Sequence, residues 1–256
     1  MKLALECPTE LLGDIQPLAD FYWTLTHLVL SDRDYANYYI KHKGEKLSTL
    51  DNSVNELLEP CSLSEIKEAV GILGGVHRIV SPDHLGDHLA TGRKLDEAIK
   101  VFGKEKLLPV VQGHEFRYVL ECAGYIKKLG FTEVAVPYDI MSSRCDSLEE
   151  MADRREEVVS RLLLLYGFEV HLLGMTTLEE LESYRGIGGI RSIDTGSPVL
   201  HGLQSIRFGR DKLLPKAVPT LQQMKLLGNP DLESVYYNIC YLRGILSGDN
   251  EFSSRA

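Results

Sequence analysis

The chain has 256 residues, 44% hydrophobic and 25% charged, a composition that supports a sizeable core and excludes disorder as a description of the whole. Thirty-seven acidic against 28 basic side chains give a net charge of −9, which excludes general nucleic-acid coating but allows one local basic patch. No apolar stretch approaches the roughly 20 residues of a membrane span, and Glu6 stands where a signal peptide needs its apolar region, so a cytoplasmic protein with no membrane contact is expected.

In chain order, short apolar runs alternate with helix signals. Trp23–Leu30 and Lys46–Leu50 read as strands, and Ser62-Leu63-Ser64-Glu65 then forms a capping box that opens a helix through about Ile72. His77–Ser81 is the next strand, a helix near Leu95–Phe102 follows it, and Leu107–Gln112 is the strand after that. A helix over Phe116–Leu129 stops at Gly130 and leads into the strand Glu133–Val136. Ser147-Leu148-Glu149-Glu150 opens a helix to about Tyr166, ended by Gly167 before the strand Phe168–Leu173. Thr177-Leu178-Glu179-Glu180 opens another to about Tyr184, ahead of the strand Ile190–Ile193. An eighth strand is either Leu3–Glu6 or Ser205–Phe208. The five cysteines are odd in number and dispersed without a CxxC pair, which predicts reduced thiols mostly in the core and no metal site.

Strands and helices alternating at this spacing predict parallel strands joined by crossovers. About eight such units in one 256-residue domain match a TIM-type (β/α)8 barrel. A doubly wound open sheet is the competitor, but no glycine-rich phosphate turn follows Leu30. The strand ends are the informative feature: Lys46–Leu50 runs into Asp51-Asn52-Ser53, with Glu56 close behind. His77–Ser81 runs into Pro82-Asp83, Leu107–Val111 into Gln112-Gly113-His114, Glu133–Val136 into Pro137-Tyr138-Asp139, and Ile190–Ile193 into Asp194-Thr195-Gly196. In a barrel these ends share one rim, where active sites are built. Any one of these residues alone reads equally well as a turn or helix cap.

The later strands lack an interior lysine for Schiff-base chemistry. His84, His88 and His114 near Asp87 make a metal site conceivable, but solvated loop histidines are the simpler reading. No nucleophile elbow is legible. Two or more carboxylates with an amide in one mouth suit cleavage at a sugar anomeric carbon, where one carboxylate attacks and another manages protons.

The set Leu50-Asp51-Asn52-Ser53, Pro82-Asp83, Val110-Val111-Gln112-Gly113 and Ile193-Asp194-Thr195-Gly196-Ser197-Pro198 resembles, in order and spacing, the tRNA-guanine transglycosylase superfamily. The resemblance implies a barrel glycosyltransferase that exchanges a guanine base in nucleic acid for a 7-deazaguanine, with no organic cofactor. It implies Asp194 as the nucleophile on C1′ and Asp51 as the general acid/base. Asp83 and Gln112 would bind the base edge, with Gly113, the Val136-Pro137 backbone and Asp139 around it. The chain departs from the tRNA enzymes at Asn52-Ser53-Val54 and at Val199-Leu200. It also has no cysteine after Asp194 except Cys240, so their zinc subdomain is not expected. It is more similar to the short phage and bacterial DNA 7-deazaguanine transglycosylases, which makes DNA, or else tRNA, and a free 7-deazaguanine the expected partners. A homodimer or accessory subunit stays open. Arg207, Arg210, Lys212 and Lys216 form a late basic patch expected to hold polynucleotide phosphate. A tRNA-acting enzyme, a non-catalytic binding barrel and an unrelated glycosidase are the alternatives.

Overall fold

A computed structural model describes residues 1–210 and 231–248. Its eight strands are β1 (Lys2–Leu5), β2 (Tyr22–Leu25), β3 (Ser48–Asp51), β4 (Arg78–Val80), β5 (Leu107–Leu108), β6 (Glu133–Pro137), β7 (Glu169–Leu173) and β8 (Ile190–Thr195), all pairing in parallel. The helices between and after them are α1 (Leu12–Ile15), α2 (Thr26–Ser31), α3 (Arg33–Lys41), α4 (Val54–Leu57), α5 (Leu63–Ile72) and α6 (His88–Phe102), then α7 (Phe116–Lys128), α8 (Leu148–Arg161), α9 (Leu178–Ser183), α10 (Ser197–Gly202) and α11 (Leu232–Ser247). The order defines a TIM-type barrel.

Helix starts follow local chemistry. Ser62 and Glu65 form a reciprocal capping box at α5, and Ser147 and Thr177 cap α8 and α9 through the third backbone N–H. Asp87 accepts from Leu89 N and Ala90 N, so α6 begins seven residues before the Leu95 expected from sequence. The eighth strand is the N-terminal candidate, β1, while Ser205–Phe208 lies outside any strand.

The strand predicted over Lys46–Leu50 runs from Ser48 to Asp51, smaller shifts occur at the ends of β4, β6 and β7, and three further boundaries differ with consequences for the fold. The apolar run Trp23–Leu30 serves two elements, because the chain leaves the ladder at Thr26 and coils into α2. Leu107–Gln112 keeps its ladder only through Leu108, since Pro109 has no N–H to donate. Beyond it the chain touches β6 at a Val110–Ala135 bridge. The strand predicted to end at Ile193 reaches Thr195, so Asp194 is inside the ladder, level with Ala4 and Leu173.

The strands form two four-stranded arcs, ordered β1-β8-β7-β6 and β2-β3-β4-β5. At one seam Val111 N donates to Ala135 O at 3.0 Å and Ala135 N to Pro109 O at 2.8 Å. At the other, Asp20 N donates to Leu3 O at 2.7 Å while its Oδ2 accepts from Leu3 N at 2.7 Å. Successive strand residues face opposite sides, and two buried clusters record this. Leu3, Leu5, Leu50, Ile79, Val170, Leu172 and Ile193 pack toward the helices. Ala4, Trp23, Leu25, Val80, Leu108, Val110 and Ala135 fill the barrel interior.

Candidate active site at the strand C-terminal ends

The alternation that puts Ala4 inside also points Glu6 inward, and Asp51 and Asp194 share that parity against outward Leu50 and Ile193. Asp194 is 5% exposed and caps no helix: α10 starts after Gly196 without a side-chain cap. It shares a hydrogen bond with the Glu6 carboxyl. His171 Nε2 lies 2.9 Å from Asp194 Oδ1, and its Nδ1 lies 2.8 Å from Ser192 Oγ. With the proton on Nε2, His171 donates to Asp194 and accepts from the serine hydroxyl. The imidazole is stacked on Trp23, with ring centres 4.7 Å apart and planes 19° apart. Asp194 is therefore held from below by a ring fixed in the barrel interior.

Asp51 accepts from Ser53 N at 2.7 Å, an interaction with the turn at which Ser53 adopts the left-handed conformation (φ 63°). Burial, reinforced by the charges of Glu56 and Asp194, holds the Asp51 carboxyl well above its ordinary range. Burial and the neighbouring Asp194 and Glu56 do the same to Glu6. Burial raises Glu56 as well, and its Oε2 is buried without a hydrogen-bond partner. A mouth with this many carboxyls cannot ionise them all, so some remain proton donors at neutral pH.

Beside this cluster Asp83 is clamped between two amides. Asn52 Nδ2 donates to its Oδ1 and Gln112 Nε2 to its Oδ2, both at 2.7 Å. Asn52 also donates to Ser81 O at 2.8 Å, and Gln112 Oε1 accepts from Gly86 N at 3.0 Å. Burial lifts Asp83 to about 6 against these stabilising bonds, and Asp139 adds a like charge. The result is a buried, oriented carboxylate–amide edge.

The structure thus brings together Asp51, Asp83, Gln112 and Asp194, with Asp139 close enough for its charge to act on Asp83. The other expected contributors lie as follows. The Val136 side chain packs among the helices, which leaves its backbone and Pro137 toward the mouth. The space a Gly113 side chain would take is the first turn of α7, with Val119 N 2.6 Å from an ideal Cβ, so only glycine fits at this strand end. Arg207 is committed to α11, its guanidinium 2.8 Å from Glu233 Oε1 and 3.0 Å from Ser234 Oγ. Arg210 lies over the Tyr237 ring; Lys212 and Lys216 are outside the described residues. Among the described residues no group of three or more His, Cys, Asp and Glu is disposed to hold a metal ion, and His88 instead stacks on Tyr118.

Sequence reasoning missed Glu6 and His171. Glu6 ends a candidate strand in the same way as the other acids, and accepting Leu3–Glu6 as a strand would have exposed it. His171 is a lone polar residue in the run Val170–Leu172, at an interior parity once its neighbours are read as outward.

These features define a parallel eight-stranded barrel with its polar cluster at the C-terminal rim. No protein-family model matches the chain, and no curated protein matches it. Among solved structures, the CitE protein from Mycobacterium tuberculosis, in complex with magnesium and pyruvate, has a TM-score of 0.51 at 9% identity, covering 84% of this chain and 93% of that one. KGPDC from Streptococcus mutans gives 0.49 at 11% identity over 94% and 97%, and triosephosphate isomerase from Bartonella henselae gives 0.44 at 12% over 78% and 92%. The likeness to CitE establishes the fold and nothing about the reaction.

Proposed function

We propose that this protein is a base-exchange transglycosylase that replaces guanine in DNA with a 7-deazaguanine derivative. The observation that supports this reading best is the convergence of Asp51, Asp83, Gln112 and Asp194, ends of four separate strands, with the carboxylate–amide pair beside the buried acids. Guanine offers donors at N1 and its exocyclic amine, which Asp83 accepts, and an acceptor at O6 for the second N–H of Gln112. The target base leaves its stack to reach this edge.

Base exchange with retention requires two inversions at C1′. Asp194 attacks C1′ as the guanine–sugar bond breaks, and Asp51, held in its acid form, protonates the departing base. The incoming base loses its proton to Asp51 and displaces the ester oxygen of Asp194, restoring both groups. His171 fixes the Asp194 rotamer throughout.

The test mixes protein, duplex DNA or tRNA, and labelled guanine, and reads label incorporation and a denaturation-resistant protein–nucleic acid adduct. Wild-type protein should give both with DNA, and Asp194→Ala neither. Exchange by Asp194→Ala at the wild-type rate would refute the mechanism, and exchange confined to tRNA would move the substrate to RNA.

A further inference from the structure

At the opposite, N-terminal end of the barrel lies a cavity of about 260 Å³ whose lining includes Lys43, Lys46, Lys106, His77, Ser48 and Tyr22. Among the described residues no carboxylate lines it, in a chain whose acids outnumber its bases 37 to 28. Lys43 and Lys106 are anchored by backbone carbonyls and form no ion pair among the described residues. Lys43 Nζ donates to Gly74 O, and Lys106 Nζ donates to Val76 O at 3.1 Å, which leaves each ammonium with N–H groups to spare. Lys46 spends its donors on the carbonyls of Gln16, Pro17 and Ala19, so it contributes field and not contact. His77 Nδ1 accepts from Ser48 N at 3.1 Å, which puts its proton on Nε2 as a further donor.

Two acids border the site: Glu45 holds His42 and the Tyr22 hydroxyl, Asp20 holds Arg243 and Leu3 N, and the charges of both fall on Lys46, so the cations with no such counter-charge are Lys43 and Lys106. The N-terminal face of such a barrel ordinarily serves stability; here Lys43, His77 and Lys106, all exposed, present N–H groups to the cavity beyond those spent on the backbone.

We infer that this pocket binds a phosphate-bearing small molecule, with Lys43, Lys106 and His77 as donors. The site is separate from the mouth and does not depend on the chemistry proposed there. A free small anion fits better than a polynucleotide, because the opening is at the far end of the barrel from the acid cluster and its volume is at the small end for a ligand pocket.

Binding of inorganic phosphate, pyrophosphate and AMP to the full chain, followed by calorimetry, tests this. Wild-type protein and Asp194→Ala should bind alike, whereas Lys43→Gln/Lys106→Gln should bind more weakly by about tenfold for each lysine removed. A second measurement needs no variant: phosphate should slow acetylation of Lys43 and Lys106 by acetic anhydride, read by mass spectrometry, while leaving exposed Lys128 unaffected. Unchanged binding in the double variant, loss of binding in Asp194→Ala, or acetylation indifferent to phosphate would each overturn the assignment. Protection by a single-stranded oligodeoxynucleotide with none by the three small anions would overturn the small-molecule source.

Discussion

Protonated carboxyls in the mouth make its residues sensitive to pH. Folded Glu6 holds its proton more tightly than unfolded Glu6, so its contribution is best where both states are protonated and declines as pH rises past about 4.3. Glu6→Gln keeps a donor toward Asp194 and cannot ionise, so its melting temperature should exceed that of wild type at pH 8 and converge with it near pH 4. A constant offset across that range would disprove the shift. Asp83 behaves likewise: with its carboxyl lifted to about 6, roughly 3 kcal/mol of stability should disappear between about pH 4 and pH 6. For function, Asp83→Ala and Gln112→Ala should each weaken use of the incoming base by about 1–3 kcal/mol, because each strands a buried partner. Normal exchange kinetics in either variant would remove them from base recognition.

Elements are where sequence and structure agree most and where their differences are easiest to explain. Helix starts were legible because a serine or threonine three residues before a glutamate has a local chemistry that packing does not override, as at Ser62, Ser147 and Thr177. The acids at Asp51, Asp83 and Asp194 and the amide at Gln112 were legible because each breaks an apolar run. Contacts between distant segments were not. Nothing local links His171 to Trp23, whereas the early end of the β5 ladder was signalled by Pro109 and passed over. Close helix approach was equally hidden. A Cβ on Gly202 in α10 would overlap the Val235 backbone of α11, and Asn238 of α11 holds Phe208 N, Ile206 O and Pro198 O. Gly202→Ala should therefore cost at least about 2 kcal/mol in denaturant unfolding; an effect below about 0.5 kcal/mol, typical of surface positions, would show that α11 can move aside freely.

For the whole molecule, the weak places are the seams. Asp20 satisfies both backbone groups of Leu3, one through its own N–H and one through its carboxylate, and its Oδ1 receives Arg243 of α11 at 3.0 Å, so this residue ties the segment before β2 to β1 and to the last described helix. Asp20→Ala should destabilise the fold by about 1–3 kcal/mol by stranding Leu3 N–H. Hydrogen exchange should quicken around Leu3 and along α11 together, and acceleration at Leu3 alone would mean the helix is held independently.

The two arcs also divide the labour of the proposed reaction. Glu6, His171 and Asp194 all belong to the arc β1-β8-β7-β6, whereas Asp51, Asn52, Asp83 and Gln112 belong to β2-β3-β4-β5. In the exchange one half-barrel would grip the sugar and the other the base, so the glycosidic bond would lie across the division between them. A small relative rotation of the halves would then stretch or compress the distance over which that bond is broken and remade.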